Sequence, residues 1–195
     1  MPDAEPVAIL LKGADLTTIP NLLSFARIVG VIIAVILYLG GHGWLAVAIG
    51  TVAGLTDHLD GYLARRLKQE TVLGAMLDQA SDSFTTAILL AMLVVTGSIP
   101  FAYLVIFLLR EFWVGTVRRY SALMGIEIPS IALGKLATAV IYWAILTVAV
   151  VNLPDIPARV VTPVHWIGLV GLGMGLAVSC LTGWRYTIAL GGKME

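Results

Sequence analysis

The strongest constraint on this chain is a series of long apolar stretches separated by short breaks. They run over about 21–39, 44–67, 72–95, 101–123, 135–153 and 163–190. Roughly 20 apolar residues in a helix cross the hydrocarbon core of a bilayer. Inside that core every backbone N–H and C=O must be satisfied within the chain, which leaves helices and closed barrels as spanning structures. Composition points the same way. Hydrophobic residues make up 59% and charged residues 12%, and the mean hydropathy is +0.96, where soluble domains carry about 25% charged residues. An ordinary soluble globule and a disordered chain are both excluded. The expectation is an all-α integral membrane protein. It has a juxtamembrane segment at 1–20, six transmembrane helices within 21–190, and a short tail at 191–195.

Gly40-Gly41-His42-Gly43 and Gly97-Ser98-Ile99-Pro100 read as tight turns, and Pro154-Asp155-Ile156-Pro157 opens another. Val7 to Leu16 is apolar but too short to span, and suits a helix lying on the membrane surface. The first 15 residues lack the basic start of a secretory signal peptide, so no cleaved targeting segment is expected. In the six-span arrangement eleven of the twelve Lys and Arg residues fall on one side and only Arg159 on the other. The positive-inside rule then places both termini in the cytoplasm, with the protein multi-pass in the cell (inner) membrane. A net charge of zero argues against nucleic acid as a partner. The single cysteine, Cys180, excludes an intramolecular disulfide and is expected to pack as a small residue in its apolar run.

Four aspartates stand inside these apolar spans. Asp57 and Asp60 are i, i+3 on the second span; Asp78 and Asp82 are i, i+4 on the third. The short link Lys68–Thr71 makes the two spans antiparallel neighbours, so the four carboxylates can converge at one depth. Each carboxylate costs at least ~2.5 kcal/mol in hydrocarbon, and four cannot stay ionised together without compensation. Divalent cations supply it, and an all-carboxylate set favours hard ions such as Mg²⁺, Mn²⁺ or Ca²⁺ over Zn²⁺. Two ions suit four aspartates and in-line displacement at phosphorus. A structural ion-pair network with Arg65, Arg66 and Arg110 is the bland alternative. Gly61 and Ala64 form a small-residue track beside the carboxylates, and Gly74 lies one turn before Asp78. They leave room for a ligand or for a packed helix. His58, one residue on from Asp57, points about 100° away around the helix and is read as a packing residue.

The spacing Asp57-x2-Asp60-Gly61-x2-Ala64-Arg65-x8-Gly74-x3-Asp78-x3-Asp82 resembles the signature of the CDP-alcohol phosphatidyltransferase family, with all eight fixed positions present. A chance match of that kind in so short a chain is on the order of one in 10⁸. With six spans and Ile19-Pro20-Asn21 leading into the first, the resemblance extends over nearly the whole chain. It implies a CDP-alcohol phosphotransferase-like fold with its catalytic domain at 21–190. It also implies transfer of a phosphatidyl group from CDP-diacylglycerol to a small hydrophilic alcohol, with release of CMP. Asp57, Asp60, Asp78 and Asp82 would hold two Mg²⁺ or Mn²⁺ ions, and Asp82 would also be the general base. Gly61, Ala64, Arg65 and Gly74 would line the CDP site, with Asn21 and Thr56 nearby. A homodimer in the membrane lipid is implied as well.

A second, basic set bears on the acceptor. Arg110 and Glu111 lie in the fourth span, followed by Arg118 and Arg119; Lys135 opens the fifth and Arg185 ends the sixth. Arg110, Arg118, Lys135 and Arg185 could gather around a phosphate. Alternatively they anchor helix ends at the interface. This stretch resembles the corresponding part of bacterial phosphatidylglycerophosphate synthases, whose acceptor is glycerol 3-phosphate. The chain departs from them at Gln79, Ser83 and Ala137. Inositol phosphate, serine, an amino-alcohol or phosphatidylglycerol therefore stay open as acceptors. Outside enzymes, a divalent-cation transporter would use the same aspartates, but it leaves Gly61, Ala64 and Arg65 without a role. A scaffold would need none of them.

Overall fold

Six helices and no strand occupy the described residues of the computed structural model, which are 19–54, 72–126 and 132–192. They are α1 (Ile19–Leu39), α2 (Gly43–Gly54), α3 (Val72–Val95), α4 (Phe101–Leu123), α5 (Ala132–Val151) and α6 (Ala158–Gly191). Asn21–Leu39, α5 and α6 are each long and apolar enough to cross a membrane. With 24 and 23 residues, α3 and α4 have the length, but both carry charged side chains in mid-helix. The chain divides into two compact units, Met1–Ile88 and Leu89–Glu195.

The helix ends follow from local chemistry. At the end of α1 the N–H of His42 donates to Leu37 O (2.8 Å) and that of Gly41 to Tyr38 O (3.1 Å). This is the Schellman arrangement, which needs a left-handed residue at the C′ position. Gly41 supplies it with φ 86°. Gly97, at φ 71°, ends α3 in the same way through Ser98 N–H to Leu93 O and Gly97 N–H to Val94 O. Pro100 then caps α4 in an extended conformation, because a proline is at home just ahead of a helix and cannot continue one. The expected boundaries of the third and fourth spans hold as drawn. The sixth does not. Its helix begins at Ala158 behind Pro157, and Pro163 lies inside it. A proline in the second turn removes one backbone bond, a loss that membrane-spanning helices tolerate where neighbouring groups re-satisfy the freed carbonyl. The fifth helix likewise begins at Ala132, three residues before Lys135.

In the first unit α1 is amphipathic in the inverse sense. Its buried face carries Asn21, Ser24 and Arg27 before it turns apolar at Val31 and Ala34. Its exposed face is Leu22, Phe25, Val29, Ile32, Ile33 and Ile36. Polar groups turned inward under an apolar exterior suit a lipid surround and contradict a water-exposed one. α2 packs antiparallel on α1 through small residues, since Gly30 lies against Ala53 and Gly50 against Ala34.

The second unit is held by a close helix pair. A Cβ on Gly168 would stand 2.6 Å from Val148 Cγ2, and one on Gly175 2.8 Å from Ile141 Cγ1. With Gly171 on Ala144, contacts that advance along α6 retreat along α5, so the two helices are antiparallel. Between apolar helices in lipid there is no hydrophobic drive, and small residues that let backbones approach supply the packing. α4 runs parallel to α6, with Arg110 Nε donating to Ser179 O, Val114 beneath Gly183, and Arg118 over Tyr186. Cys180 faces outward. The inward positions beside it belong to Ser179 and Thr182.

Candidate active site

Asp78 and Asp82 stand on the same side of α3 in the first unit, as their i, i+4 spacing requires. What they meet is Arg27 of α1. Arg27 NH1 donates to Asp82 Oδ1 at 2.5 Å, and Arg27 NH2 lies 3.5 Å from Asp78 Oδ1. The guanidinium therefore spans one helical turn of α3, with one terminal nitrogen toward each carboxylate. Its side chain is 1% exposed, whereas those of Asp78 and Asp82 are 48% and 39% exposed. Asp78 Oδ1 is nevertheless buried and makes no hydrogen bond, so its contact with Arg27 is an ion pair at longer range.

The surrounding residues fix α1 against α3. Ser81 donates its hydroxyl to Ser24 O at 3.1 Å, and both serines are buried. Thr86 turns its hydroxyl back to Asp82 O at 3.0 Å, the usual way a threonine satisfies itself within an apolar helix. Asn21 is buried on the face of α1 that holds Ser24 and Arg27. Gly74 lies half-buried one turn before Asp78. Beside Arg27 a cavity of about 350 Å³ opens between α1 and α2, walled by Leu23, Ala26, Gly30, Ile49 and Val52 among others.

The remaining signature residues, Asp57, Asp60, Gly61, Ala64 and Arg65, lie outside the described residues, as do Thr56, His58 and the segment before residue 19. Among the described residues no group of three or more His, Cys, Asp or Glu side chains gathers. The fit to a divalent ion can still be judged on the two carboxylates in view. They are hard oxygen donors, one turn apart, Asp82 hydrogen-bonded to Arg27 and Asp78 at ion-pair distance from it. Such a pair suits Mg²⁺ or Mn²⁺ completed by further carboxylates.

The expected acceptor residues lie in the second unit. Arg110 is ion-paired to its neighbour Glu111 and also reaches Ser179 O at 3.4 Å. Arg118 is half-buried, its guanidinium 5.3 Å from the centre of the Tyr186 ring. Tyr186 Oη and Thr182 Oγ1 lie 3.8 Å and 4.0 Å from where a Cβ on Gly134 would stand. Residues of α4, α5 and α6 thus meet at Arg118, Gly134 and Tyr186, with Lys135 adjoining and exposed. Arg185 is exposed too.

Two residues here escape a reading by motif. Arg27 counts among the charges that set orientation, yet it is the sole charged residue within Asn21–Leu39. A lone ionisable group inside an apolar span is itself a pointer to a site. Tyr186 offers no comparable signal, because its role depends on which helix lies opposite.

Comparison with known proteins bears on the family and the fold. The family model described as CDP-alcohol phosphatidyltransferase matches residues 17–177. A CDP-diacylglycerol–glycerol-3-phosphate 3-phosphatidyltransferase of Pseudomonas fluorescens is 42% identical over 79 residues, covering 39% of this chain and 40% of that protein. The protein of the same name from Bacillus subtilis is 28% identical over 186 residues, covering 86% of this chain and 92% of that one. A cardiolipin synthase (CMP-forming) of Streptomyces coelicolor is 38% identical over 133 residues, 62% of this chain and 60% of that protein. The chain thus matches less than two thirds of the length of the Pseudomonas and Streptomyces relatives. The solved apo structure of Mycobacterium tuberculosis phosphatidylinositol phosphate synthase superposes with a TM-score of 0.59 at 15% identity, over 92% of this chain and 94% of that one. That is a likeness of fold.

Proposed function

The chain belongs to the CDP-alcohol phosphatidyltransferase family, and on that premise we propose that it transfers the phosphatidyl group of CDP-diacylglycerol to glycerol 3-phosphate, releasing CMP. The observation that carries this reading is the pair Asp78 and Asp82, brought to one side of α3 at signature spacing and ion-paired to a buried arginine. The relatives from Pseudomonas and Bacillus named for glycerol 3-phosphate favour that acceptor. In this reading residues 21–190 form the catalytic domain with six spans in the inner membrane, both termini are cytoplasmic, and the enzyme is a homodimer.

The chemistry is a displacement at the phosphorus that bears the diacylglycerol. The acceptor hydroxyl oxygen forms the new bond to that phosphorus, the bond to the CMP phosphate breaks, and the hydroxyl proton passes to the Asp82 carboxylate. A base of this kind must sit within hydrogen-bond reach of the hydroxyl. Asp57, Asp60, Asp78 and Asp82 would hold two Mg²⁺ or Mn²⁺ ions, which when bound neutralise charge on the diphosphate. Arg65 adds a fixed cation for the departing phosphate. Gly61, Ala64 and Gly74 leave the nucleotide room, with Asn21 and Thr56 at its edge. Arg118 and Lys135, with Arg110 and Arg185, hold the acceptor phosphate. Arg118 is the best prepared of the four, because Tyr186 keeps its guanidinium in place.

The cardiolipin synthase relative favours a second reading, in which the same displacement uses phosphatidylglycerol. An acceptor panel decides between them. Purified protein is given CDP-diacylglycerol and Mn²⁺ with glycerol 3-phosphate, phosphatidylglycerol, inositol phosphate, inositol, serine or choline, and the lipid product is identified by mass. Phosphatidylglycerophosphate is the expected product. Cardiolipin alone would establish the second reading, and a product with neither acceptor would reject both.

A further inference from the structure

We infer that the hydrocarbon core of a bilayer covers the second unit between two planes, one at Trp166 and the other at Trp184, with Trp143 near its middle. α6 is longer than a bilayer needs. Its 34 residues extend about 51 Å at 1.5 Å per residue, against a hydrocarbon core of roughly 30 Å. Side chains mark which part lies in lipid. Trp166 and Trp184 are 62% and 61% exposed. They stand 18 residues apart, which is five whole turns and about 27 Å, so they share one face. Ile167, Val170, Met174 and Leu181 are exposed between them. No Asp, Glu, Lys or Arg lies between Arg159 and Arg185. Tryptophan collects where hydrocarbon gives way to headgroups, because its ring is apolar and its N–H wants a partner.

The neighbouring helices carry the same levels. α5 runs antiparallel to α6, with Val148 against Gly168, Ala144 against Gly171 and Ile141 against Gly175. Trp143 is therefore level with the middle of the Trp166–Trp184 interval, and it is exposed. Beside Trp166, Asn152 Nδ2 and His165 Nδ1 pair at 3.1 Å, so side-chain polarity returns at that end. At the other end α4 brings Trp113, one residue before the Val114–Gly183 contact, and its Nε1 donates to Thr187 Oγ1 at 3.0 Å. Lys135 follows Gly134, which faces Thr182 and Tyr186, and Arg118 stands over Tyr186. These two cations lie within about one turn of the Trp184 plane, where a water-borne phosphate can reach them. Arg110, at Ser179 O, lies about 7 Å inside that plane. A cation at that depth needs a counter-charge, and Glu111 supplies it. These depths follow from the helices alone and hold for either acceptor.

The test is depth-resolved quenching of tryptophan fluorescence. Full-length protein keeps one tryptophan, the others replaced by phenylalanine. It is reconstituted in phosphatidylcholine brominated either near the carboxyl end or near the methyl end of the acyl chains. Trp166 and Trp184 should lose more emission to the shallow bromines, and Trp143 more to the deep ones. Trp166 or Trp184 quenched better by deep bromines, or shielded from both, overturns the boundaries. Trp143 quenched better by shallow bromines, or by neither, overturns them too. Should a single-tryptophan protein fail to fold, the wild-type chain decides in phosphatidylcholine bilayers of stepped thickness. Its resistance to thermal unfolding should peak where the hydrocarbon core is about 27 Å thick and fall on both sides. Resistance that keeps rising with thickness, or ignores it, overturns the boundaries as well.

Discussion

Replacing Gly168 by alanine tests how the second unit is held together. The new Cβ would lie 2.6 Å from Val148 Cγ2 and 3.5 Å from Ala144 O, whereas carbon atoms in contact sit at about 3.5–4.0 Å. Val148 has no free surface and cannot swing aside, so α5 and α6 must part by roughly 1 Å to reach normal contact. Overpacking of this kind costs about 1–3 kcal/mol, set against a gain of up to about 1 kcal/mol for alanine over glycine within a helix. Gly171→Ala supplies the control. It gains the same propensity and meets only Ala144 Cβ at an ordinary 3.6 Å. The two variants should therefore differ by about 1–3 kcal/mol in reversible unfolding by sodium dodecyl sulfate. Val148→Ala removes the obstructing Cγ2 and should relieve Gly168→Ala, with a favourable coupling of about 0.5–3 kcal/mol. Equal stability of the two alanine variants, or strict additivity of the double mutant, would refute the close packing.

Three further outcomes follow from the site. Tyr186→Leu removes the buried ring beneath the half-buried Arg118 and should raise KM for glycerol 3-phosphate at least about 2–5-fold with little change in kcat, the worth of about 0.5–1 kcal/mol of cation–π contact; Tyr186→Phe should stay near wild type. Lys135→Ala should raise the same KM without altering KM for CDP-diacylglycerol, which steady-state kinetics with each substrate varied will check. Chelation by EDTA should abolish CMP release, and Mn²⁺ or Mg²⁺ added back should restore it while Ca²⁺-free buffer alone does not.

Much of the helix layout can be read from residue types, for reasons that the structure makes explicit. The break between α3 and α4 is legible because Gly97 and Pro100 each impose a conformation that the helix cannot continue. The start of α6 is misread because Pro163 looks like a beginning, while Pro157 is the residue that caps the helix. The aspartate pair on α3 is plain from its spacing, since i, i+4 on an apolar helix can only face one way. Its partner is not. Arg27 stands 51 residues before Asp78, and no periodicity links the two. Its burial could have been suspected from its isolation in an apolar span. The α5–α6 contact is less accessible still. Gly168 and Gly175 are two among several glycines of α6, and only the opposite helix shows which of them meet a side chain.

The central claim is that Asp82 acts as base in a transfer that releases CMP. It is tested most directly by CMP release from CDP-diacylglycerol in Mn²⁺, comparing wild type with Asp82→Asn in the presence and absence of glycerol 3-phosphate. The variant keeps the side-chain shape and an amide oxygen that can accept from Arg27, Arg27 keeps Asp78 as a charged partner, and the Thr86 bond is to the backbone of residue 82, so the fold should persist. The account predicts acceptor-dependent release by wild type and a loss of about 10²–10⁴-fold in the variant, the usual worth of a positioned base. Release by Asp82→Asn at the wild-type rate would contradict it.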